Sequence, residues 1–191
     1  VSALSVVSDE FLAVSARAGQ RVDFDALVDR HALRVYSFCL RATGSAQDAE
    51  DLTQATFLAA YESLANYNTE RPFAPWLFGI ASNQCRMWHR RNRRAPEAHG
   101  RALEVIRDPQ PTPEAAYEHA ETAETVRRVL AGMPDTYRNA VTLRCLEGMS
   151  TREVAEALGL SLEAAAKRLA RGMRMVRERL EDRGIQLPDP S

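Results

Sequence analysis

The sequence predicts an all-α protein: two small helical domains joined by a flexible, acidic, proline-containing linker, with a helix-turn-helix in the second domain. Three observations point there. Apolar residues recur at three- and four-residue steps through both halves, and no stretch shows the two-residue alternation of a strand. Pro96, Pro109, Pro111 and Pro113 fall between the halves, together with most of a run of acids. Ser150 to Ser161 then presents a cap, an apolar face, a glycine and a second cap in the order that two tightly joined helices require.

Composition narrows the class. The 191 residues are 45% hydrophobic and 27% charged, as in ordinary soluble globular proteins. No apolar run approaches the roughly 18 residues that span a bilayer. Val1 to Leu12 is punctuated by Ser2, Ser5, Ser8, Asp9 and Glu10 and lacks a basic start, so it does not read as a secretory signal. A cytoplasmic protein with no membrane insertion is expected. Cys39, Cys85 and Cys145 are far apart and fit no metal or redox spacing, so they read as core cysteines. His31, His89, His99 and His119 form no short ligand cluster. There is no glycine-rich phosphate loop and no nucleophile–base spacing. No catalytic residue, metal, cofactor or small-molecule substrate is therefore expected.

A net charge of −1 hides segregation. Arg86, Arg90, Arg91, Arg93 and Arg94 crowd one short segment. Between 104 and 124, Glu104, Asp108, Glu114, Glu118, Glu121 and Glu124 face Arg107 alone, and bases dominate again over 161–183. A basic–acidic–basic layout suggests two nucleic-acid surfaces and an acidic connector. Of the 25 basic residues only Lys167 is lysine, an imbalance that a GC-rich genome also produces, so position rather than arginine count carries the argument.

The elements follow in order. Phe24, Leu27, Val28, His31, Val35, Phe38 and Cys39 mark one helix, stopped by Thr43-Gly44-Ser45. Ser45 with Asp48 resembles an N-cap, with Asp in place of the usual Glu. The next helix is expected over about Ala46 to Ala65, with Leu52, Ala55, Thr56, Ala59 and Leu64 inward. Asn66 to Pro72 is turn-rich, and a third helix begins near Phe73 with Phe73, Leu77, Ile80, Ala81 and Trp88 on one face; Gln84 interrupts it. Tyr117 to Arg183 is helical again, broken at Gly132-Met133-Pro134, Gly148-Met149 and Gly159.

The most specific local signal is Ser150 to Ser161. Ser150 and Glu153 form an S-x-x-E capping box, Val154, Ala155 and Leu158 make an apolar face, Gly159 permits the turn, and Ser161 caps the next helix. That is the helix-turn-helix layout, whose second helix enters the major groove. On that helix Leu162, Ala165, Ala166, Leu169, Met173, Val176 and Leu180 form the apolar stripe, opposite Ala164, Lys167, Arg168 and Arg171, with Arg174 at the margin. A solvated basic face on an amphipathic helix gives the same stripe; the capped turn before it favours DNA.

Two further segments carry a family resemblance. Asp48-Ala49-Glu50-Asp51-Leu52-Thr53-Gln54-Ala55-Thr56-Phe57 resembles the D-A-E-D-L-x-Q-x-T-F signature of extracytoplasmic-function (ECF) sigma factors of the sigma-70 family. Phe73-Ala74-Pro75-Trp76-Leu77-Phe78-Gly79-Ile80-Ala81-Ser82-Asn83 is similar to their F-x-x-W-L-x-x-I-A-x-N segment, and Leu130 through Ser150 to their pattern before the helix-turn-helix. The likeness covers about Phe24 to Leu180. It implies a tail (1–22), region 2 (23–95), a linker (96–118), region 4 (119–183) and a second tail (184–191).

The resemblance also implies roles. Asp48, Glu50, Asp51, Gln54 and Phe57 would dock on the β′ clamp helices of core RNA polymerase. Tyr67, Asn68, Arg71, Trp76, Asn83, Arg86, Arg90 and Arg93 would capture and unstack −10 promoter bases, a task suited to aromatic faces, polar edges and a positive track. Trp76 and Trp88, as large aromatics, also fit a core. Thr151, Arg152, Ala164, Lys167, Arg168, Arg171 and Arg174 would read the −35 element, while an apolar groove of region 4 takes the β-flap. The linker would thread towards the polymerase cleft, and an anti-sigma factor is an expected partner. Two positions depart from the family pattern: Met87 stands where an Asp is common, and Ala166 where a Lys is common. A stand-alone helix-turn-helix regulator with a helical sensing or dimerising N-terminal domain is the alternative, and it leaves the Asp48–Phe57 and Phe73–Asn83 matches without a role.

Overall fold

The computed structural model describes residues 7–92, 125–126 and 128–185. The linker expected over 96–118 and the basic residues Arg93 and Arg94 lie outside the described residues. Among the described residues seven α-helices follow one another: α1 (Asp9–Arg17), α2 (Arg21–Thr43), α3 (Ala46–Ser63), α4 (Phe73–Asn92), α5 (Asp135–Cys145), α6 (Thr151–Leu158) and α7 (Leu162–Glu181). A 3-10 turn, Leu64–Asn66, leads out of α3, and residues 128–131 are helical as well. No strand occurs among the described residues.

Helix ends obey local chemistry. Gly44 takes φ 71° behind α2, and Ser45 Oγ then accepts the Asp48 N–H at 3.3 Å. The Asp48 carboxylate does not return to the cap. It accepts the Trp88 indole N–H at 3.0 Å, while the Ser45 N–H donates to Thr43 Oγ1.

The N-terminal half is built around α4. Its inward row is Phe73, Leu77, Ala81 and Cys85, flanked by Phe78 and Ser82, all buried. The row runs in four-residue steps, which places Gln84 half-buried on the flank and removes the interruption seen in the sequence. Ile80 and Trp88, expected inward, are only half-buried. Opposite them α2 contributes Leu27, Val35, Phe38 and Cys39, and the Phe38 and Phe78 rings meet edge to face, 5.5 Å between centroids. From α3 come Ala49, Leu52, Thr56, Phe57 and Ala60, so Ala55 and Ala59 sit at the margin instead of in the row.

The expected N-terminal tail contains a helix. Ser8 caps α1, and Leu12, Ala13 and Ala16 bury its inner face. Arg30 and His31 hold Asp9 at 2.8 and 2.7 Å. Burial pushes the Asp9 carboxyl up, but these hydrogen bonds outweigh it and hold the group below the ordinary value. Burial likewise pulls His31 below its ordinary value, against the attraction of Asp9.

In the C-terminal half, residues 128–133, α5 and α7 close on Val129, Leu130, Met133, Val141, Val176 and Leu180. The inward row of α7 is Ala165, Leu169, Gly172, Val176 and Leu180. Leu162, Ala166 and Met173, expected in the stripe, are exposed, and so is Cys145, whose thiol lies 3.5 Å from the Met173 sulfur. Burial here belongs to a glycine that lets two backbones approach.

The two halves share a core. Ala140, Leu143, Met149, Val154, Ala157 and Leu169 belong to the same apolar cluster as the N-terminal helices. Helix α6 lies on α4 so closely that a Cβ on Gly79 would come within 3.1 Å of the Ala157 carbonyl oxygen. Polar contacts frame this joint: Arg34 Nε to Glu147 at 2.8 Å, and Arg138 Nη2 to the Ala42 carbonyl at 3.2 Å. Arg138 also pairs with Asp135, which His89 meets at 3.3 Å.

The α5–α7 contact makes a direct prediction. A Cβ at Gly172 would sit 2.6 Å from Val141 Cγ2, and a β-branched side chain has little rotamer freedom to yield. Alanine gains about 1 kcal/mol of helix propensity over glycine, but overpacking costs roughly 1–3 kcal/mol. Gly172→Ala should therefore be net destabilising in urea denaturation, and Val141→Ala in the same chain should recover part of the loss. Simple additivity of the two changes would show that this contact does not limit the packing.

Candidate nucleic-acid interface

The helix-turn-helix is assembled by side chains close in sequence. Ser150 Oγ accepts the Glu153 N–H at 3.2 Å while Glu153 accepts the Ser150 N–H at 2.7 Å, a complete capping box. That hydrogen bonding holds the Glu153 carboxyl below its ordinary value. Gly159 takes φ 63°, a conformation with a steric penalty for other residues, and turns the chain out of α6. Ser161 Oγ then accepts the Ala164 N–H at 3.2 Å and opens α7.

On α7 the side opposite the buried row presents Lys167, Arg171 and Arg174 to solvent, with Ala164 and Arg168 half-buried. Lys167 pairs with Glu163 at 2.5 Å, but both side chains are more than 70% exposed, at 73% and 76%. Such a pair is worth little, so the ammonium is free to exchange Glu163 for a phosphate. Thr151 is half-buried and Arg152 exposed at the start of α6. The family-pattern departure at Ala166 is an exposed position, so a small side chain there costs no packing.

A second basic face lies on α4. Asn83, Arg86 and Arg90 are exposed at three- and four-residue steps. Arg86 Nη2 donates to Asn83 Oδ1 at 2.7 Å, and Met87 offers only a long sulfur contact to Asn83 at 3.9 Å. The preceding loop projects Asn68, Glu70 and Arg71 outward, with Asn68 Oδ1 accepting the Glu70 N–H at 3.0 Å.

The aromatics separate into two roles. Trp76 is half-buried, 5.0 Å from the Tyr67 ring and 5.4 Å from Phe73. Tyr67, expected to capture bases, is 3% exposed and its phenol donates to the Arg71 carbonyl. Its ring is packed between Phe73 and Trp76 and supports the loop from beneath. Trp88 is likewise engaged, stacked edge-on with His89 and bonded to Asp48.

The acidic candidates divide as well. Glu50, Asp51 and Gln54 share the exposed face of α3. Asp48 is held by Trp88, and Phe57 is 8% exposed, a core side chain and not a contact surface. Sequence reasoning missed Glu10, Arg17 and Arg34, each of which reaches another element. Between the basic face and the helix-turn-helix runs a cleft of about 600 Å³, lined by Trp76, Asn83 and Arg86 on one side and by Glu156, Leu158 and Gly159 on the other. Among the described residues no group of histidines, cysteines and acids is placed to hold a metal ion, and no helix is long and apolar enough to cross a membrane.

Comparison with known proteins places both faces in matched regions. Residues 27–95 match Sigma-70 region 2, and residues 123–176 match Sigma-70, region 4. The chain is 35% identical over 158 residues to the ECF RNA polymerase sigma factor SigE of Mycolicibacterium smegmatis, covering 82% of this chain but only 61% of that protein's length. It is 34% identical over 175 residues to the RNA polymerase sigma factor CarQ of Myxococcus xanthus, covering 90% of this chain and 97% of CarQ. The solved structure of CnrH in complex with the cytosolic domain of CnrY superposes with a TM-score of 0.67 at 26% identity, over 91% of this chain and 97% of CnrH. With regions 2 and 4 in this order, and with CarQ matched over nearly its whole length at 34% identity, the chain belongs to the ECF group of the sigma-70 family of RNA polymerase sigma factors.

Proposed function

We propose that this chain directs core RNA polymerase to promoters from the cytoplasm, as a guiding subunit and not as a catalyst. The observation that carries this reading is the presence of two separate basic faces, on α4 and α7, beside an acidic face on α3. A simple repressor needs one DNA face. A promoter-opening factor needs a duplex reader, a single-strand trap and a docking surface.

In this reading α7 enters the major groove at the −35 element. Arg168 and Arg171 meet base edges or phosphates, Lys167, Arg174 and Arg152 hold the backbone, and Ala164 and Thr151 allow close approach. Asn68, Arg71, Trp76, Asn83, Arg86, Arg90 and Arg93 handle the unpaired −10 strand. Glu50, Asp51 and Gln54 dock on the β′ clamp helices, and region 4 takes the β-flap. A protein inhibitor, an anti-sigma factor, is the further partner, in keeping with the likeness to CnrH, solved with CnrY.

Geometry adds a step. Elements centred about 25 base pairs apart are separated by roughly 85 Å of B-form duplex. A compact body of this length has a radius of gyration of about 16 Å. One packed body does not reach both elements, so the α4–α6 joint opens when polymerase and promoter are engaged.

Run-off transcription tests the reading. Core polymerase with this chain should give discrete transcripts from a promoter library that core alone does not give; a library without any cognate transcript would overturn it. Arg168→Ala should cost about 1–3 kcal/mol at one −35 position and relax specificity there, measured by binding to a panel of single-base variants. A uniform loss over the panel would make Arg168 a phosphate contact. Asp51→Arg should weaken binding to core polymerase by about tenfold, since it reverses a charge at the docking face. Unchanged affinity would remove Asp51 from that face.

A further inference from the structure

The loop between α3 and α4 is fixed from outside itself. Glu10 Oε1 accepts the N–H of Phe73, the first residue of α4, at 3.1 Å. That N–H is one of the donors a helix leaves without an internal partner, and a carboxylate at this end also suits the helix dipole. At the other end of the loop, Arg17 Nη1 reaches the Tyr67 carbonyl at 3.5 Å. Both side chains come from α1, whose own position is set by buried Leu12, Ala13 and Ala16 and by the Asp9 contacts to Arg30 and His31.

Between these anchors Tyr67 completes the support. Its ring packs on Phe73 and Trp76, and its hydroxyl donates to the Arg71 carbonyl. Burial, with Glu10 and Asp9 nearby, pushes the phenol up to about 12, so it remains a donor at any physiological pH. Arg71 N–H closes the turn onto the Asn68 carbonyl at 3.1 Å. The supports are the buried Tyr67 and the contacts at the two ends of the loop, and its exposed residues are Asn68, Glu70, Arg71 and Pro72.

We propose that Glu10 and Arg17 are positioning residues for single-strand capture: α1 clamps both ends of the Tyr67–Pro72 loop so that Asn68 and Arg71 meet unpaired bases in a fixed geometry. The proposal rests on the reading of this loop as the −10 trap. It separates steps that a general stability role would not. Core docking belongs to α3 and duplex binding to α7, and neither contains a residue bonded to Glu10 or Arg17. A loop held in place loses less conformational freedom on binding, so the clamp acts through affinity for the single strand.

The test uses holoenzyme formed from the full chain and core polymerase. The probe is the single-stranded oligonucleotide that wild-type holoenzyme enriches from a random pool, with a −35 duplex as control. Glu10→Ala should weaken single-strand binding by about tenfold, the scale of losing a charge-assisted hydrogen bond, and slow open-complex formation, while core affinity and duplex binding stay as in wild type. Glu10→Gln keeps an acceptor oxygen and should restore most of the loss. Arg17→Met, which keeps the stem but removes the donor, provides the second arm if Glu10→Ala unfolds. Wild-type single-strand affinity in a folded Glu10→Ala or Arg17→Met chain would overturn the proposal, as would an equal loss in core affinity and duplex binding. Asn68→Ala and Arg71→Ala distinguish the two levels. If they weaken capture and the α1 variants do not, the clamp alone fails; if they too leave capture unchanged, the reading of the loop fails with it.

Discussion

The row Phe73, Leu77, Ala81 and Cys85 pins α4 against α2 and α3, and most of the N-terminal half follows from it. Four-residue steps on a 3.6-residue helix drift by only about 40° each, so a single narrow stripe faces inward. Large rings lock the rotation. Phe78 meets Phe38 at 5.5 Å, and the Arg34 guanidinium lies 5.6 Å over the Phe78 ring. Turning α4 to present another face would drive Asn83, Arg86 or Arg90 towards apolar surroundings, a far larger cost than any single ring contact. The outward polar face of α4 is thus a consequence of its packing, and the same helix serves as core and as candidate DNA surface.

How much of this could be read beforehand depends on the range of the physics. Caps and turns were legible because they are local: Ser45, Ser150 and Ser161 accept N–H groups three residues on, and Gly44 and Gly159 supply the left-handed turns. The exposed polar rows on α3 and α4 were legible through helical period and motif together. Helix α1 was not. It buries only Leu12, Ala13 and Ala16, and its contacts to Arg30, His31, Tyr67 and Phe73 reach residues distant in sequence. Tyr67 matches a base-capturing residue by position and chemistry, yet its burial depends on Trp76, Phe73 and the Arg71 carbonyl together. On α7 the sequence stripe counts every apolar side chain at helical steps, which turns Leu162, Ala166 and Met173 inward. The actual contact point, Gly172, has no side chain to count.

The joint between the halves mixes two kinds of interaction with different consequences. Arg138 is 5% exposed, and burial lowers its pKa despite the opposing pull of Asp135. Guanidinium stays charged in proteins, so this burial demands partners, and Asp135, the Ala42 carbonyl and His89 surround it. The Glu147 side chain is 5% exposed and answered by Arg34. Each pair sets one dry group against a partly solvated one, Arg34 being 41% and Asp135 30% exposed, and desolvation of the dry group offsets much of the attraction. Losing one partner is costly, however, so they select one docking geometry against others. Stability of the joint must come from its apolar contacts.

Those contacts are small at the helix crossing and larger beside it. Where α4 and α6 meet, Gly79 faces Ala157, and around them the shared core includes Leu143, Met149 and Leu169 as well as Ala140 and Val154. Glycine and alanine let backbones approach closely but remove little apolar area from water, at about 25 cal/mol per Å². Each half also keeps anchors of its own: Phe38, Phe73 and Phe78 in one, Val129, Met133 and Leu180 in the other. The joint is therefore a close backbone crossing continued by buried Leu143, Met149 and Leu169 into the N-terminal core, and framed by charges. On the proposed function this joint must open, since the two DNA faces have to part to reach elements farther apart than one packed body extends. Exposing that core costs free energy, which differential binding to polymerase and promoter must supply, while the loop held by α1 stays intact within its own half.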